Sequence, residues 1–300
     1  MTEKPTYCGF IAIVGRPNIG KSTLFNRLIG KKISITSSKP HTTHHRIIGV
    51  HNAGGYQAIY IDTPGLCTPE NNIMHNMMRR HALHAINNVV LVIFMIEGVC
   101  WTTSDERILN NLLDTQSILL VINKLDRISN KSLLLPHLQT LNKKRKFIGI
   151  IPISAKTGDN IDVIHNTIRQ YLPKEKHFFP QEYITNCSQK FMASEIMREK
   201  IMRGCGAELP YSISVNIEKF IINTRGMLMI YALILVQNEG HKKIIIGVQG
   251  SKIKIIGTLA RKSMEEAFGR KVYLESWVKV KDNWVDHISV SHNLGHVNHL

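Results

Sequence analysis

Gly15-Arg16-Pro17-Asn18-Ile19-Gly20-Lys21-Ser22 follows an apolar run, Phe10–Val14, and opens a helical pattern, Ser22–Ile29. The octet has the form GxxxxGK[ST], and strand-then-helix is the context in which that form wraps phosphate. Glycines let backbone N–H groups close around phosphate oxygens, and the helix N-terminus adds positive potential. Lys21 then reaches the β- and γ-phosphates, the Ser22 hydroxyl is a ligand for Mg²⁺, and Thr23 continues the contact.

Outward from the octet, short Val- and Ile-rich runs alternate with helical patterns. Tyr56–Asp62, Val89–Ile96, Ser117–Asn123 and Ile148–Ser154 read as strands, nearly continuous in apolarity as parallel strands buried on both faces are. Ile73–Ile86, Ser104–Leu113, Leu133–Lys143 and Ile161–Tyr171 read as helices. This alternation predicts a parallel sheet with helices on both sides.

The strand ends carry further chemistry. Asp62-Thr63-Pro64-Gly65 is a DxxG: its carboxylate is placed to hold Mg²⁺ through water, and the Gly65 N–H to meet a γ-phosphate. In Asn123-Lys124-Leu125-Asp126 the carboxylate pairs with the N1–H and exocyclic amine of guanine; adenine lacks that donor pair and leaves the acid unpaired. Asn123 braces the loop and the stem of Lys124 covers the base. Ser154-Ala155-Lys156 offers a backbone N–H to guanine O6. These motifs, in this order, specify GTP rather than ATP, and with no lid-like Arg cluster they disfavour a nucleotide kinase.

Pro173–Gln181, with two prolines and several charges, reads as a linker. Beyond it the pattern changes. Phe191–Arg203 is helical with Ala193, Met197 and Ile201 on one stripe; Tyr211–Ile222 and Met227–Gln237 are strands around the turn Asn223-Thr224-Arg225-Gly226. Lys252–Phe268 is helical, with Ile253, Ile256, Leu259, Met264 and Phe268 near one face, and Val272–Val280 closes the unit as a strand. Gly247-Val248-Gln249-Gly250 is a GxxG just before that helix.

Lys plus Arg is 38 and Asp plus Glu 22 over 300 residues, a net charge of +16, which suits polyanionic partners: nucleic acid or an anionic membrane surface. The excess is spread along the chain, and its Lys, Asn and Ile content also suits drift in an AT-rich genome. Five scattered cysteines with no CxxC argue for a reducing compartment and against a zinc ribbon. Met1–Phe10 lacks the pattern of a secretion signal, and the most apolar runs, Val89–Ile96 and Met227–Val236, are far shorter than a bilayer span. The expected location is the cytoplasm. His41, His44 and His45, and the C-terminal His287, His292, His296 and His299, read as solvated segments rather than metal sites for want of partner ligands.

The motifs at 15–22, 62–65, 123–126 and 154–156 resemble those of the TrmE–Era class of translational GTPases. Gly15–Ser37, YQAIYIDTPGL, FMASEIMREKIM, GAELPYSI and ESWVKVK are similar to its Era branch over nearly the whole chain. The resemblance implies a P-loop GTPase α/β domain (1–175), a linker (176–188) and a smaller α+β type II KH domain (189–300, core about 204–281). It implies Mg²⁺ as cofactor, with Thr43 of switch I, or Thr42 in its place, beside Ser22 as its ligand, and Lys21, Asp62, Gly65 and Thr43 as the hydrolytic set. Leu66, after DxxG, cannot orient water by hydrogen bonding, so another group must. Asn18 either shapes the loop or helps hold K⁺ beside the phosphates. In the KH half, Gly247, Val248, Gln249 and Gly250 clamp an RNA backbone, with Lys252 and Lys254 near phosphate.

The implied function is GTP hydrolysis coupled to binding of the 3′ end of small-subunit rRNA, in assembly of the 30S subunit and rRNA maturation. The implied form is a monomer, with peripheral contact at the inner membrane a further expectation. The alternative is an RNA chaperone with a structural, non-cycling GTP site. Three departures stand out: His44 replaces the family arginine, Val248-Gln249 brings no basic charge, and Met227–Val236 is more apolar than the resemblance implies. Lys243–Gly247 reads locally as strand, whereas the resemblance implies helix.

Overall fold

A computed structural model describes residues 5–34, 47–62, 89–205 and 213–281. The chain divides into two compact units, Met1–Cys187 and Ser188–Leu300. Thr43, Thr63, Pro64, Gly65 and Leu66, the expected helix Ile73–Ile86 and both histidine-rich stretches lie outside the described residues.

In the first unit, β1 (Tyr7–Gly15), β3 (Tyr56–Asp62), β4 (Leu91–Glu97), β5 (Ile118–Asn123) and β6 (Gly149–Pro152) run parallel. The sheet order is β2-β3-β1-β4-β5-β6, with β2 (Ile47–Ala53) antiparallel to β3. α1 (Lys21–Ile29), α2 (Thr103–Asn110), α3 (Leu134–Asn142) and α4 (Ile161–Tyr171) connect them. The inner strands are apolar on both faces because both are covered: Leu91 to Ile96 and Ile118 to Ile122 are buried without a break. In-register pairing brings Asp62, Gly15, Glu97 and Asn123 to one end of the sheet, with Ile13 opposite Asp62, Gly15 opposite Met95 and Glu97 opposite Asn123. That edge, at the carboxyl ends of parallel strands, is where α/β folds bind ligands.

The expected linker is instead part of the first unit as far as Cys187. Its backbone finds partners on the edge of the sheet: Cys8 N–H donates to the Pro173 carbonyl (3.1 Å), Glu175 N–H to Thr6 (3.1 Å) and Val50 N–H to Ile184 (2.8 Å). Gln57, fully buried, both accepts from Phe179 N–H (3.0 Å) and donates to its carbonyl (2.8 Å). Phe178 packs on Phe10 at 5.4 Å. The prolines and charges read as a tether conceal a strap whose aromatics cover β1–β3.

The second unit orders its elements as α5 (Gln189–Gly204), β7 (Ser214–Ile222), β8 (Leu228–Val236), α6 (Glu239–Ile246), α7 (Ser251–Phe268) and β9 (Val272–Val280). β7 is antiparallel and β9 parallel to the central β8. Ala193, Met197 and Ile201 of α5 and Ile256, Ala260 and Met264 of α7 pack with alternate residues of β8. Leu259, expected in this core, is half exposed, because Ala260 occupies the inward position that follows Ile256. Lys243–Gly247 ends a helix rather than forming a strand: Asn238 caps α6, accepting from His241 N–H at 2.8 Å, and only Ile245 in α6 is buried.

Candidate nucleotide and RNA sites

The phosphate loop leaves β1 at Gly15 (φ 150°) and enters α1 after Gly20 (φ 100°). A Cβ at Gly15 would lie 2.2 Å from Ile19 Cδ1 and 2.6 Å from the Met95 carbonyl; one at Gly20 would lie 2.4 Å from Asn123 Nδ2. Both positions therefore exclude any side chain. Lys21 is buried and donates Nζ to the carbonyls of Gly15 (3.0 Å) and Arg16 (2.7 Å), which holds its ammonium across the loop. Ser22 Oγ donates to Asp62 Oδ2 at 3.0 Å, and Ser34 Oγ donates to the same oxygen at 2.8 Å. Two hydroxyls and a fully buried carboxylate are hard oxygen donors of the kind Mg²⁺ takes, so the residues present suit that ion.

The base-side motifs converge through Asn123. Its Nδ2 donates to the Ile19 carbonyl (2.6 Å) and its Oδ1 accepts from Ala155 N–H (2.9 Å), so one buried amide ties the phosphate loop to the 154–156 loop. Lys124 sits in left-handed conformation (φ 68°) with Nζ 2.7 Å from Glu97 Oε1. Leu125 N–H donates to the Ile153 carbonyl at 3.0 Å, fixing the turn that presents Asp126. The Asp126 carboxylate is exposed and accepts from Ser154 Oγ (2.7 Å), the bond that chiefly holds its pKa below the usual carboxylate value. It is thus charged and aimed with an acceptor oxygen toward solvent, as pairing with two N–H donors requires.

Several supporting residues, Arg27, Asp105, Glu97 and Ser34, lie outside the motifs. Arg27 on α1 donates to the carbonyls of Ala155 (3.2 Å) and Lys156 (2.7 Å). Arg16 is held at 2.7 Å by Asp105, itself fully buried and engaged in the Thr102 capping box of α2. Glu97 and Ser34 complete the set. Only Asp105 had a readable signal, as the fourth residue of Thr-x-x-Asp before an apolar stretch.

In the second unit, Gly247 (φ 72°) and Gly250 (φ 77°) bracket Val248 and Gln249, and Gln249 is also left-handed (φ 50°). A Cβ at Gly247 would lie 2.6 Å from Lys252 Cβ, so the loop packs tightly on the first turn of α7. Val248 is 82% exposed and Lys254 is exposed, while Lys252 is half-buried. Among the described residues, the non-glycine left-handed positions are Asn18, Lys124, Asn160 and Gln249; three of these lie in the binding motifs, where strained backbone concentrates.

The profile of the family described as "50S ribosome-binding GTPase" matches residues 10–124, and that described as "KH domain" matches 208–285. GTPase Era of Yersinia pestis (strain Pestoides F) is 54% identical over 296 residues, covering 98% of each chain. Era of Yersinia pseudotuberculosis serotype O:1b (strain IP 31758) matches to the same extent. The chain belongs to the Era family of GTPases. A single-residue variant of Aquifex aeolicus Era bound to GDP·AlF4⁻ superposes with a TM-score of 0.90 at 38% identity, covering 97% of this chain and 99% of that one. Era in complex with MgGDPNP and nucleotides 1506–1542 of 16S ribosomal RNA matches equally well. This Era-family chain is a GTP-hydrolysing enzyme with a P-loop α/β domain and a KH domain.

Proposed function

We propose that this GTPase uses its nucleotide state to switch binding of the 3′ end of small-subunit rRNA, acting as a cytoplasmic monomer in 30S subunit assembly and rRNA maturation. The observation that carries the reading is the pairing, in one chain, of a braced guanine-nucleotide site with a GxxG loop held left-handed ahead of an 18-residue helix. The Era relative solved with MgGDPNP and 16S rRNA nucleotides supports the choice of RNA. RNA, rather than an anionic lipid face, is the polyanion that a GxxG clamp fits, because such a loop holds the backbone of about four successive nucleotides.

In the G unit, Asp126 reads guanine, Asn123 fixes both loops, Lys124 covers the base, and the 154–156 loop supplies a backbone N–H for O6, that of Ala155 being engaged by Asn123. Lys21 neutralises the β- and γ-phosphates while the backbone N–H groups of residues 15–23, Pro17 excepted, surround them. Ser22, with Thr43, holds Mg²⁺, and Asp62 orders its water; when bound, the ion neutralises charge on the phosphates. Gly65 meets the γ-phosphate. Asn18 is exposed at φ 63°, which leaves its amide free to turn toward a K⁺ beside the phosphates. Leu66 provides no bond to the attacking water, so positioning falls to backbone groups and charge.

Single-turnover hydrolysis with and without rRNA separates this reading from a chaperone with a structural nucleotide site. A cycling switch turns over bound GTP and changes its RNA affinity as it does so. A structural site retains GTP and binds RNA identically in both states.

A further inference from the structure

Among the described residues, one face of the β7-β8-β9 sheet carries no helix and is unlike the packed face. The extra apolarity of Met227–Val236 divides by the strand alternation: Leu228, Ile230, Ala232, Ile234 and Val236 are buried, whereas Met229, Tyr231, Leu233 and Leu235 are half exposed on the other side. Register sets Met229 opposite Tyr273, Tyr231 opposite Glu275, Leu233 opposite Trp277 and Leu235 opposite Lys279. Tyr231 thus stands between Tyr273 (ring centroids 6.2 Å) and Trp277 (6.5 Å). Lys219 of β7, opposite Tyr231, holds its ammonium 5.6 Å from that ring.

We propose that this open sheet face is a second RNA-binding surface, on which unpaired bases stack against Tyr231, Tyr273 and Trp277 while Lys219 and Lys279 meet phosphates. Base stacking on adjacent-strand aromatics is sequence-tolerant, and a sheet is a natural platform for it. Charge favours a polyanion: the Asn223 turn at one end carries Arg225, Lys271 leads into β9, and Lys279 and Lys281 lie at the other end, against Glu218 and Glu275. Glu275 accepts from Tyr273 Oη at 3.2 Å and so aligns that ring. The GxxG loop belongs to none of the three strands, so the two surfaces use different residues. The proposal extends the RNA-binding reading above but does not use its loop.

The test uses the full chain with Trp101→Phe and Trp284→Phe, leaving Trp277 as the one tryptophan, titrated with a uniform oligouridylate of about a dozen nucleotides, within the range of single-strand site sizes. Quenching of Trp277 is expected, persisting with Gly250→Asp. In the Gly250→Asp background, Tyr231→Ala/Tyr273→Ala should weaken binding at least tenfold, while Tyr231→Phe/Tyr273→Phe keeps it and controls for folding. Absence of quenching, or equal binding by the alanine pair, overturns the proposal. So does shielding of Trp277 from acrylamide in the free protein, which would mean the chain's own residues cover the face. A blue shift on phosphatidylglycerol vesicles without quenching by RNA would reassign it to lipid. Loss of rRNA binding by Gly250→Asp, scored separately, reports the GxxG reading alone, so the two can fail independently.

Discussion

Asn123 Nδ2 donates to the carbonyl of Ile19 at 2.6 Å, joining residues 104 positions apart in sequence. Through this bond the loop that reads the base and the loop that wraps the phosphates are held as one body. A Cβ at Gly20 would collide with the same nitrogen, so the contact is as close as packing allows. Asn123→Ala should lower GTP affinity by at least tenfold, about 1.4 kcal/mol, because two loops are loosened together and two backbone groups lose a buried partner. Calorimetry with a non-hydrolysable GTP analogue measures this. Unchanged affinity would show that the loops hold their places without the amide.

Base choice rests on Asp126. Asp126→Asn turns one acceptor into a donor facing guanine's own donors, and GTP affinity should fall by about two to three orders of magnitude, the scale on which unpaired polar groups reject a ligand. Xanthosine triphosphate should bind the variant better than GTP. Competition between the two nucleotides decides the point, and retained preference for GTP would remove Asp126 from the base site.

If Asn18 holds K⁺, replacing KCl with NaCl at equal ionic strength slows hydrolysis, and Asn18→Ala abolishes the difference. Phosphate release in the two salts is the measurement. Equal rates for the parent chain would leave Asn18 as a loop-shaping residue only.

Acid should loosen the first unit through His165. Burial chiefly, then the nearby His51 and Arg169, hold its pKa down to about 4 from 6.5, against a small opposing pull from Asp162. The ring lies 4.5 Å from His51, which burial also shifts downward, and Nδ1 is 3.5 Å from Tyr60 Oη. Above pH 6.5 both folded and unfolded forms are neutral there, and the contribution is complete. As pH falls toward about 4 the unfolded chain takes up the proton first, so stability declines. Melting temperatures at about pH 7.5 and about pH 5 should differ, and His165→Phe should shrink the difference. An unchanged slope in that variant would place the acid sensitivity elsewhere.

Most of the nucleotide site was legible because its chemistry is local: an octet, a DxxG, an NKxD and an SAK, each at a strand end. What sequence concealed is pairing at a distance. Arg27 reaches Ala155 and Lys156, and Arg16 reaches Asp105, through contacts that no spacing rule announces. The sequence does not announce β2, because Ile47–Ala53 is an edge strand whose outer half is partly exposed, with His51 and Asn52 breaking its apolarity. Gly54-Gly55 between it and β3, with Gly54 at φ 62°, was the hairpin signal available. The 173–187 strap misled for the opposite reason: turn-rich composition records neither Gln57 beneath Phe179 nor the backbone bonds to β1 and β2. At Lys243–Gly247 β-branched propensity lost to the Asn238 cap and the tight turn at Gly247.

The claim that the GxxG loop clamps RNA is tested most directly by one affinity. Gly250 stands at φ 77° with only Ile253 Cγ2, 4.0 Å away, near the place a Cβ would take. Gly250→Asp therefore adds backbone strain, but little crowding, and turns a carboxylate toward phosphate. Gel shift of the full chain against the 3′ end of small-subunit rRNA, with circular dichroism to establish folding, should show binding weakened at least tenfold, about 1.4 kcal/mol. A folded variant that binds this RNA as tightly as the parent would reduce Gly247–Gly250 to a turn between two helices and contradict the account.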